Sequence, residues 1–210
     1  MTTIARRGVC LVLAAPSGAG KTAISDALLA SEPELQRSVS VTTRAPRSSE
    51  INGVHYHFLS ESAFQQAVAD DELLEWARVL QGTHAYGTPR APVEAALAAG
   101  RDVVFDIDWQ GHLSLRQKLP ADVVGVFILP PNVAALETRL RARGGDAEAE
   151  IQRRMRVARD EINHWPEFDH VVVNDDLEAA TAKVRAILHA ARSATRRQPG
   201  LADFVARITS

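Results

Sequence analysis

Two stretches of this sequence carry residue types whose spacing suits phosphate chemistry. The first is Ala15-Pro16-Ser17-Gly18-Ala19-Gly20-Lys21-Thr22, which departs from strict G-x-x-x-x-G-K-[ST] only in having Ala15 for the first glycine. Small residues from Pro16 to Gly20 let successive backbone N–H groups curl around a β-phosphate. Lys21 can then reach the β/γ oxygens, and the Thr22 hydroxyl can ligate Mg²⁺. Alanine is tolerable at position 15 if its φ stays negative. An ordinary glycine-rich turn is the competing reading; the apolar run before it and the helix-forming run after it count against that. The second stretch is Ser40-Val41-Thr42-Thr43-Arg44-Ala45-Pro46-Arg47. Two guanidiniums three residues apart around a proline turn can clamp a phosphate with planar forks, or can be two solvated surface arginines.

The elements that must hold these residues are legible as alternating patterns. Val9–Ala15, Asp102–Ile107, Val123–Leu129 and His170–Val173 are continuous apolar runs, as expected of strands buried on both faces. Between them Thr22–Ala30, Pro92–Ala99, Val133–Arg141, Ala147–Trp165 and Leu177–Arg192 have helical periodicity. This alternation predicts an α/β fold, a parallel sheet with helices on both faces and ligands beyond the carboxyl ends of the strands. The stretch from Ser38 to Thr88 breaks the rhythm. Its segments Ser38–Thr43, Val54–Phe58 and Leu73–Leu80, around a helix at Glu61–Ala69, predict a small mixed lobe inserted at 38–88. The tail, 193–210, reads as weakly ordered, with Phe204 and Ile208 able to dock a last short helix.

Composition narrows the function classes. The chain has 210 residues, enough for one domain with an insertion, and a net charge of −2, which speaks against a general nucleic-acid or membrane-surface binder. No apolar stretch approaches the roughly 18 residues of a membrane helix. The run Val9–Ala15 leads into Pro-Ser-Gly, so a signal peptide is not expected and a cytoplasmic setting is. The lone Cys10 excludes a disulfide scaffold and reads as a buried, inert thiol. The seven histidines have no metal-ligand spacing, and the absence of N-K-x-D speaks against a GTPase.

Taken in order, several motifs make the sequence resemble the guanylate kinase family. They are Ala15–Thr22, Ser38–Arg47, Gly53-Val-His-Tyr-His-Phe58, Leu74-Glu75, Tyr86-Gly-Thr88, Asp106-Ile-Asp-Trp-Gln-Gly111, Pro130-Pro131, Arg139–Arg143 and Val171–Asp176. The resemblance covers residues 8 to about 192. It implies a P-loop NTPase-type three-layer α/β/α fold with a five-stranded parallel sheet. The nucleotide-kinase core would be 1–37 and 89–192, with a short helical lid at about 143–154 and a GMP-binding lobe at 38–88. The implied reaction is Mg²⁺-assisted phosphoryl transfer from ATP to GMP, and to dGMP with it.

Residue by residue, the resemblance assigns Ser40, Arg44, Arg47, Tyr56 and Tyr86 to the acceptor phosphate, and Glu75 and Thr88, with Asp108 nearby, to guanine. A carboxylate such as Glu75 can accept from both guanine N1–H and the exocyclic amine, a donor pair adenine lacks. The Thr88 hydroxyl can donate to guanine O6. Strand alternation puts Asp106 and Asp108 on one side. Asp106 is assigned to the outer shell of the metal and Asp108 to the acceptor side, unless the pair caps the next helix. Arg139, Arg143 and Arg154, the last beyond the Gly144-Gly145 pair, are implied to converge on the transferring phosphoryl group together with Lys21 and Arg44. Asn174 is matched to an adenine-side contact, while Arg153 and Arg156 read as helix-surface partners of nearby glutamates.

Between Glu75 and Tyr86 the chain has two residues more than the usual family spacing, and Ala85 replaces a second aromatic. The segment Leu80–His84 is expected to absorb them as a longer turn. Two rivals remain: a non-catalytic module of the same family that holds a phosphorylated protein segment, and a kinase for another nucleoside monophosphate. The sequence is compatible with a monomer or a homo-oligomer.

Overall fold

The computed structural model describes residues 4–79, 83–142 and 147–210, with Val79 described by its backbone alone. Strands β1 (Cys10–Ala14), β2 (Leu35–Arg37), β7 (Asp102–Asp106), β8 (Val123–Leu129) and β9 (His170–Val173) form a parallel sheet in the order β2-β7-β1-β8-β9. Alternation along β1 feeds two cores. Val9, Leu11 and Leu13 pack with Ile24 and Leu28 of α1 (Lys21–Ser31) and Val184 and Leu188 of α7 (Leu177–Arg192). Cys10, Val12 and Ala14 pack with Val93 and Leu97 of α3 (Arg90–Ala98) and Leu115 of α4 (Trp109–Lys118). These are the three layers expected of buried parallel strands. β7 and β8 flank β1, so the chain reverses direction across the sheet there, and the crevice beyond their carboxyl ends is the ligand position of such folds.

The second sheet, β4-β3-β6-β5, comprises β3 (Val41–Thr42), β4 (His57–Phe58), β5 (Leu73–Val79) and β6 (His84–Pro89). Helix α2 (Glu61–Ala69), capped by the Ser60 hydroxyl, buries Phe64 and Ala67 against Val41, Leu73 and Ala85. Helices α5 (Val133–Ala142) and α6 (Glu148–Ile162) share a smaller core of Leu136, Leu140, Ile151, Met155 and Ala158.

Several elements differ from the sequence expectations, β2 among them, since no apolar run was read at 35–37. α4 enters the sequence expectations only as a helix that Asp106 and Asp108 could cap, without bounds, because Trp-Gln-Gly-His-Leu-Ser-Leu-Arg-Gln-Lys has no apolar stripe; it buries only Gly111, His112 and Leu115. β6 contains Gly87 and ends in Pro89, both strand-unfavourable locally, yet β3 and β5 enclose it from either side. β9 is not buried on both faces: Val171 and Val173 are exposed and Val172 alone is buried, as befits a sheet edge. Cys10 does prove buried, and burial pushes its thiol well above the ordinary range.

The tail forms α8 (Leu201–Thr209), but Ile208 is exposed and does not dock it. Arg197 does. Its side chain is 1% exposed and donates to the carbonyls of Gly8 (3.1 Å) and Asp122 (3.0 Å), with the Asp122 carboxylate at 3.6 Å. Arg197→Ala would strand the Gly8 carbonyl, leave the Asp122 carbonyl with the Cys10 N–H alone and weaken a buried ion pair. It is expected to lower the unfolding free energy by about 3 kcal/mol, read as a lower urea midpoint.

Candidate active site

The loop from Ala15 to Gly20 leaves β1 and enters α1 through two glycines with positive φ, Gly18 at 93° and Gly20 at 101°. Among the described residues the only non-glycine with positive φ is Asp71, so Ala15 meets the condition set on it. No side chain caps α1, and its first turn has no acidic residue. Its first N–H groups and dipole therefore face the cleft and favour an anion there. The cleft, about 280 Å³, is lined by Pro16, Ser17, Gly18, Lys21, Thr22 and Arg139 among others.

The loop is braced from behind. Asn174, 4% exposed, donates its amide to the Ala19 carbonyl at 2.7 Å. Arg139 donates to that same carbonyl (3.4 Å) and to the Asn174 carbonyl (3.0 Å). Asn174 thus sits under the loop with its amide nitrogen engaged. Arg139 is at the cleft, as expected. Arg143 and the Gly144-Gly145 pair lie outside the described residues. On α6, Arg154 donates to Glu150 at 3.1 Å, and Arg153 makes the surface pair with Glu150 that its sequence suggested.

Across the loop stands Asp106 at the end of β7. Its Oδ2 accepts from Arg37, while its Oδ1 is buried, has no hydrogen-bond partner and lies 4.0 Å from Lys21 Nζ. Burial lowers the Lys21 pKa, and Asp106 opposes that. Asp108 lies beyond the strand and caps α4, accepting from the Gly111 N–H at 2.9 Å. The helix-cap alternative therefore holds for Asp108, although a carboxylate has capacity for further donors.

On the inserted sheet, β5 and β6 pair with Glu75 opposite Thr88 and Ala77 opposite Tyr86. Val79 pairs with His84, so His84 belongs to β6 and not to the expected turn; residues 80–82 of that turn lie outside the described residues. Ala85 is fully buried against Phe64 and Val41. The Thr88 hydroxyl donates to Glu75 Oε1 at 2.5 Å; its one O–H is therefore directed at Glu75, and O6 donation would require the hydroxyl to turn. Burial raises the Glu75 pKa, the Thr88 bond opposes this, and Asp108 adds to it. Ser40, Tyr56, Thr88 and Asp106 line one cavity of about 150 Å³. Arg44 donates to the Tyr86 hydroxyl at 3.2 Å, whereas Arg47 is exposed beside it on the turn.

Such a layout, a phosphate loop facing a polar lobe across the sheet's carboxyl edge, invites comparison with known proteins. The family model described as guanylate kinase matches residues 7–191. The chain belongs to the guanylate kinase family. It is 60% identical to the guanylate kinase of Gluconobacter oxydans over 98% of each chain. To that of Rhodospirillum rubrum it is 56% identical over 98% of this chain and 93% of the relative. A crystal structure of the guanylate kinase from Anaplasma phagocytophilum superposes with a TM-score of 0.75 at 33% identity, covering 96% of this chain and 95% of that one.

Two residues at this guanylate kinase family site escaped the sequence reading. Arg37 holds one oxygen of Asp106 and bonds Asp26 at 2.6 Å with its other nitrogen. Glu161 accepts the Ser17 N–H, has its Oε2 buried without a partner, and is pushed up by burial with Asp108 nearby. Its signal was available: Glu161 falls three residues after Ala158 on the buried face of α6, where a charge is out of place.

Gly20 tests the loop geometry. A Cβ there would collide with the Asn174 amide, and φ of 101° disfavours any side chain. Gly20→Ala is expected to weaken ATP binding by about 10- to 100-fold, measured by isothermal titration calorimetry.

Proposed function

We propose that this chain transfers the γ-phosphoryl group of ATP to GMP, giving ADP and GDP. The observation that carries the reading is the pairing of an intact phosphate loop with a half-buried carboxylate, Glu75, on a facing lobe. In this scheme residues 1–37 and 89–192 form the kinase core and 38–88 the acceptor lobe. ATP lies along Pro16–Thr22, with Lys21 and Arg139 on its phosphates. Asn174 supports the loop from below through Ala19. GMP lies in the lobe, its phosphate near Ser40, Arg44, Arg47, Tyr56 and Tyr86 and its base near Glu75, Thr88 and Asp108.

An oxygen of the GMP phosphate attacks the γ-phosphorus in line, and the bond to the β–γ bridging oxygen breaks. The attacking oxygen is already anionic at neutral pH, so the site needs no general base. It needs positive charge where negative charge moves, which Lys21, Arg139, Arg154 and Arg44 supply. Mg²⁺ fits the residues present: the Thr22 hydroxyl and the orphaned Asp106 Oδ1 are hard oxygen donors beside the phosphate loop. When bound, it would neutralise β- and γ-phosphate oxygens. Among the described residues no three His, Cys, Asp or Glu side chains converge on one point, which suits an ion that arrives with the nucleotide. No described helix is long and apolar enough to cross a membrane, and the substrates accord with a cytoplasmic setting.

The test is ADP formation from Mg-ATP with GMP or with AMP as acceptor. Turnover with GMP alone supports the reading. Turnover with AMP but not GMP assigns the chain to another acceptor, and silence with both rejects a kinase.

A further inference from the structure

The turn that joins β3 to β4 contains a carboxylate no phosphate site would be expected to welcome. Glu50 accepts from Arg44 through both terminal nitrogens, Nη1 to Oε2 at 3.0 Å and Nη2 to Oε1 at 2.8 Å. It also accepts the Arg47 N–H at 2.8 Å, and its own N–H donates to the Arg47 carbonyl at 3.0 Å. Arg44 makes two further bonds, Nη1 to the Ala45 carbonyl at 2.7 Å and Nε to the Tyr86 hydroxyl at 3.2 Å. Its guanidinium carbon stands 5.5 Å from the Tyr56 ring centroid and 5.9 Å from that of Phe58. A guanidinium has five N–H donors, so these contacts engage four and leave one, on Nη2. The two side chains are only 14% and 11% exposed.

We infer that Glu50 is a positioning residue for the acceptor phosphate: it fixes the Arg44 fork and, through the Arg47 N–H, the turn that carries both arginines. This rests on reading the lobe as the GMP site. Two roles are conceivable for a carboxylate so placed, and they predict opposite signs. As a stand-in for phosphate it would have to leave when GMP arrives, losing three charge-assisted or backbone hydrogen bonds from a mostly buried position. As a brace it stays, and Arg44 meets the phosphate with its remaining Nη2–H already aimed. The second role costs some attraction, because a negative charge remains near a dianion. In return Arg44, a side chain with several rotatable bonds, need not be ordered at the moment of binding. The bond network favours the brace, since Glu50 is tied to the guanidinium and to the backbone at once. The pairing with Arg44 also holds the carboxyl down to about 2, so the brace stays charged across the neutral range.

The experiment is steady-state ADP formation with GMP and ATP varied separately, in wild type, Glu50→Gln, Arg44→Ala and the double variant. Glu50→Gln is expected to raise KM for GMP about tenfold while KM for ATP stays within about twofold. In the Arg44→Ala background the same change is expected to have little further effect, because the brace has lost what it holds. A fall in KM for GMP in Glu50→Gln would overturn the inference in favour of the phosphate stand-in. An unchanged KM, or an equal rise with and without Arg44, would overturn it as well. Circular dichroism checks folding. Should Glu50→Gln not fold, Glu50→Asp, which keeps the charge but shortens the reach, is judged by the same KM criteria. Absence of GMP turnover in the wild type would instead sink the proposed function, so the two failures are told apart.

Discussion

With ATP and GMP saturating, Lys21→Met is expected to turn over about 10³-fold more slowly than the wild type. Lys21 is the first residue of α1, its side chain is 25% exposed, and it lies 4.0 Å from the orphaned oxygen of Asp106. An ammonium placed there, beside N–H groups left free by an uncapped helix, acts on charge that shifts between two phosphates. It therefore helps more in the transition state than in the ground state, and its loss falls on kcat. Methionine keeps most of the volume and removes the charge. Circular dichroism and the urea midpoint are expected to stay near wild type, because the position is at a cleft and not in either core. Burial holds the ammonium below the ordinary lysine range. Wild-type activity is accordingly expected to fall on the alkaline side earlier than an unperturbed lysine would impose. Turnover within tenfold of wild type in Lys21→Met would remove Lys21 from the reaction.

Glu75→Gln is expected to lower kcat/KM for GMP by about 10²-fold while leaving the weak use of AMP unchanged or raised. Only the ionised carboxylate accepts from both guanine donors; glutamine offers one acceptor and one mismatched donor group. The pH profile gives a second readout. Burial raises the Glu75 pKa, so the GMP-dependent kcat/KM is expected to fall on the acid side at a higher pH than an ordinary carboxylate would give. That acid limb is expected to weaken in Glu75→Gln. The stability consequence has the opposite sense from that of a paired surface carboxylate. With its folded pKa above its unfolded one, Glu75 contributes stability below the unfolded pKa that is lost as pH rises through the folded one. Parallel pH titrations of GMP kinetics and of urea stability in both proteins check the two effects. Equal losses with GMP and AMP would mean that Glu75 supports the lobe and does not read the base.

What the sequence alone determined is whatever depends on local pattern. The phosphate loop was readable because a strand, small residues, a lysine and a threonine are contiguous, and each acts through nearby backbone. The apolar runs placed β1, β7 and β8 closely, since a strand buried on both faces has to be apolar throughout. Glu61–Ala69 and Leu177–Arg192 agree with α2 and α7 because serine or aspartate caps and amphipathic periodicity coincide there. The break in the alternation at 38–88 disclosed the inserted lobe, and family motifs added the five-stranded sheet.

Only the tertiary structure decided matters that depend on distant partners. α4 has too few apolar residues to announce itself, and it forms where β5, β1 and β8 give Leu115 and His112 something to cover. β6 is held by its neighbours in spite of glycine and proline. Asn174 and Ala19 are 155 positions apart, and nothing in either neighbourhood says that one supports the other. The same holds for Arg37 on Asp106, and for Arg197, whose side chain bonds the carbonyls of Gly8 and Asp122, 189 and 75 positions away. Charges of this kind look solvated in sequence, because burial and pairing are properties of the packed sheet and not of the residues beside them.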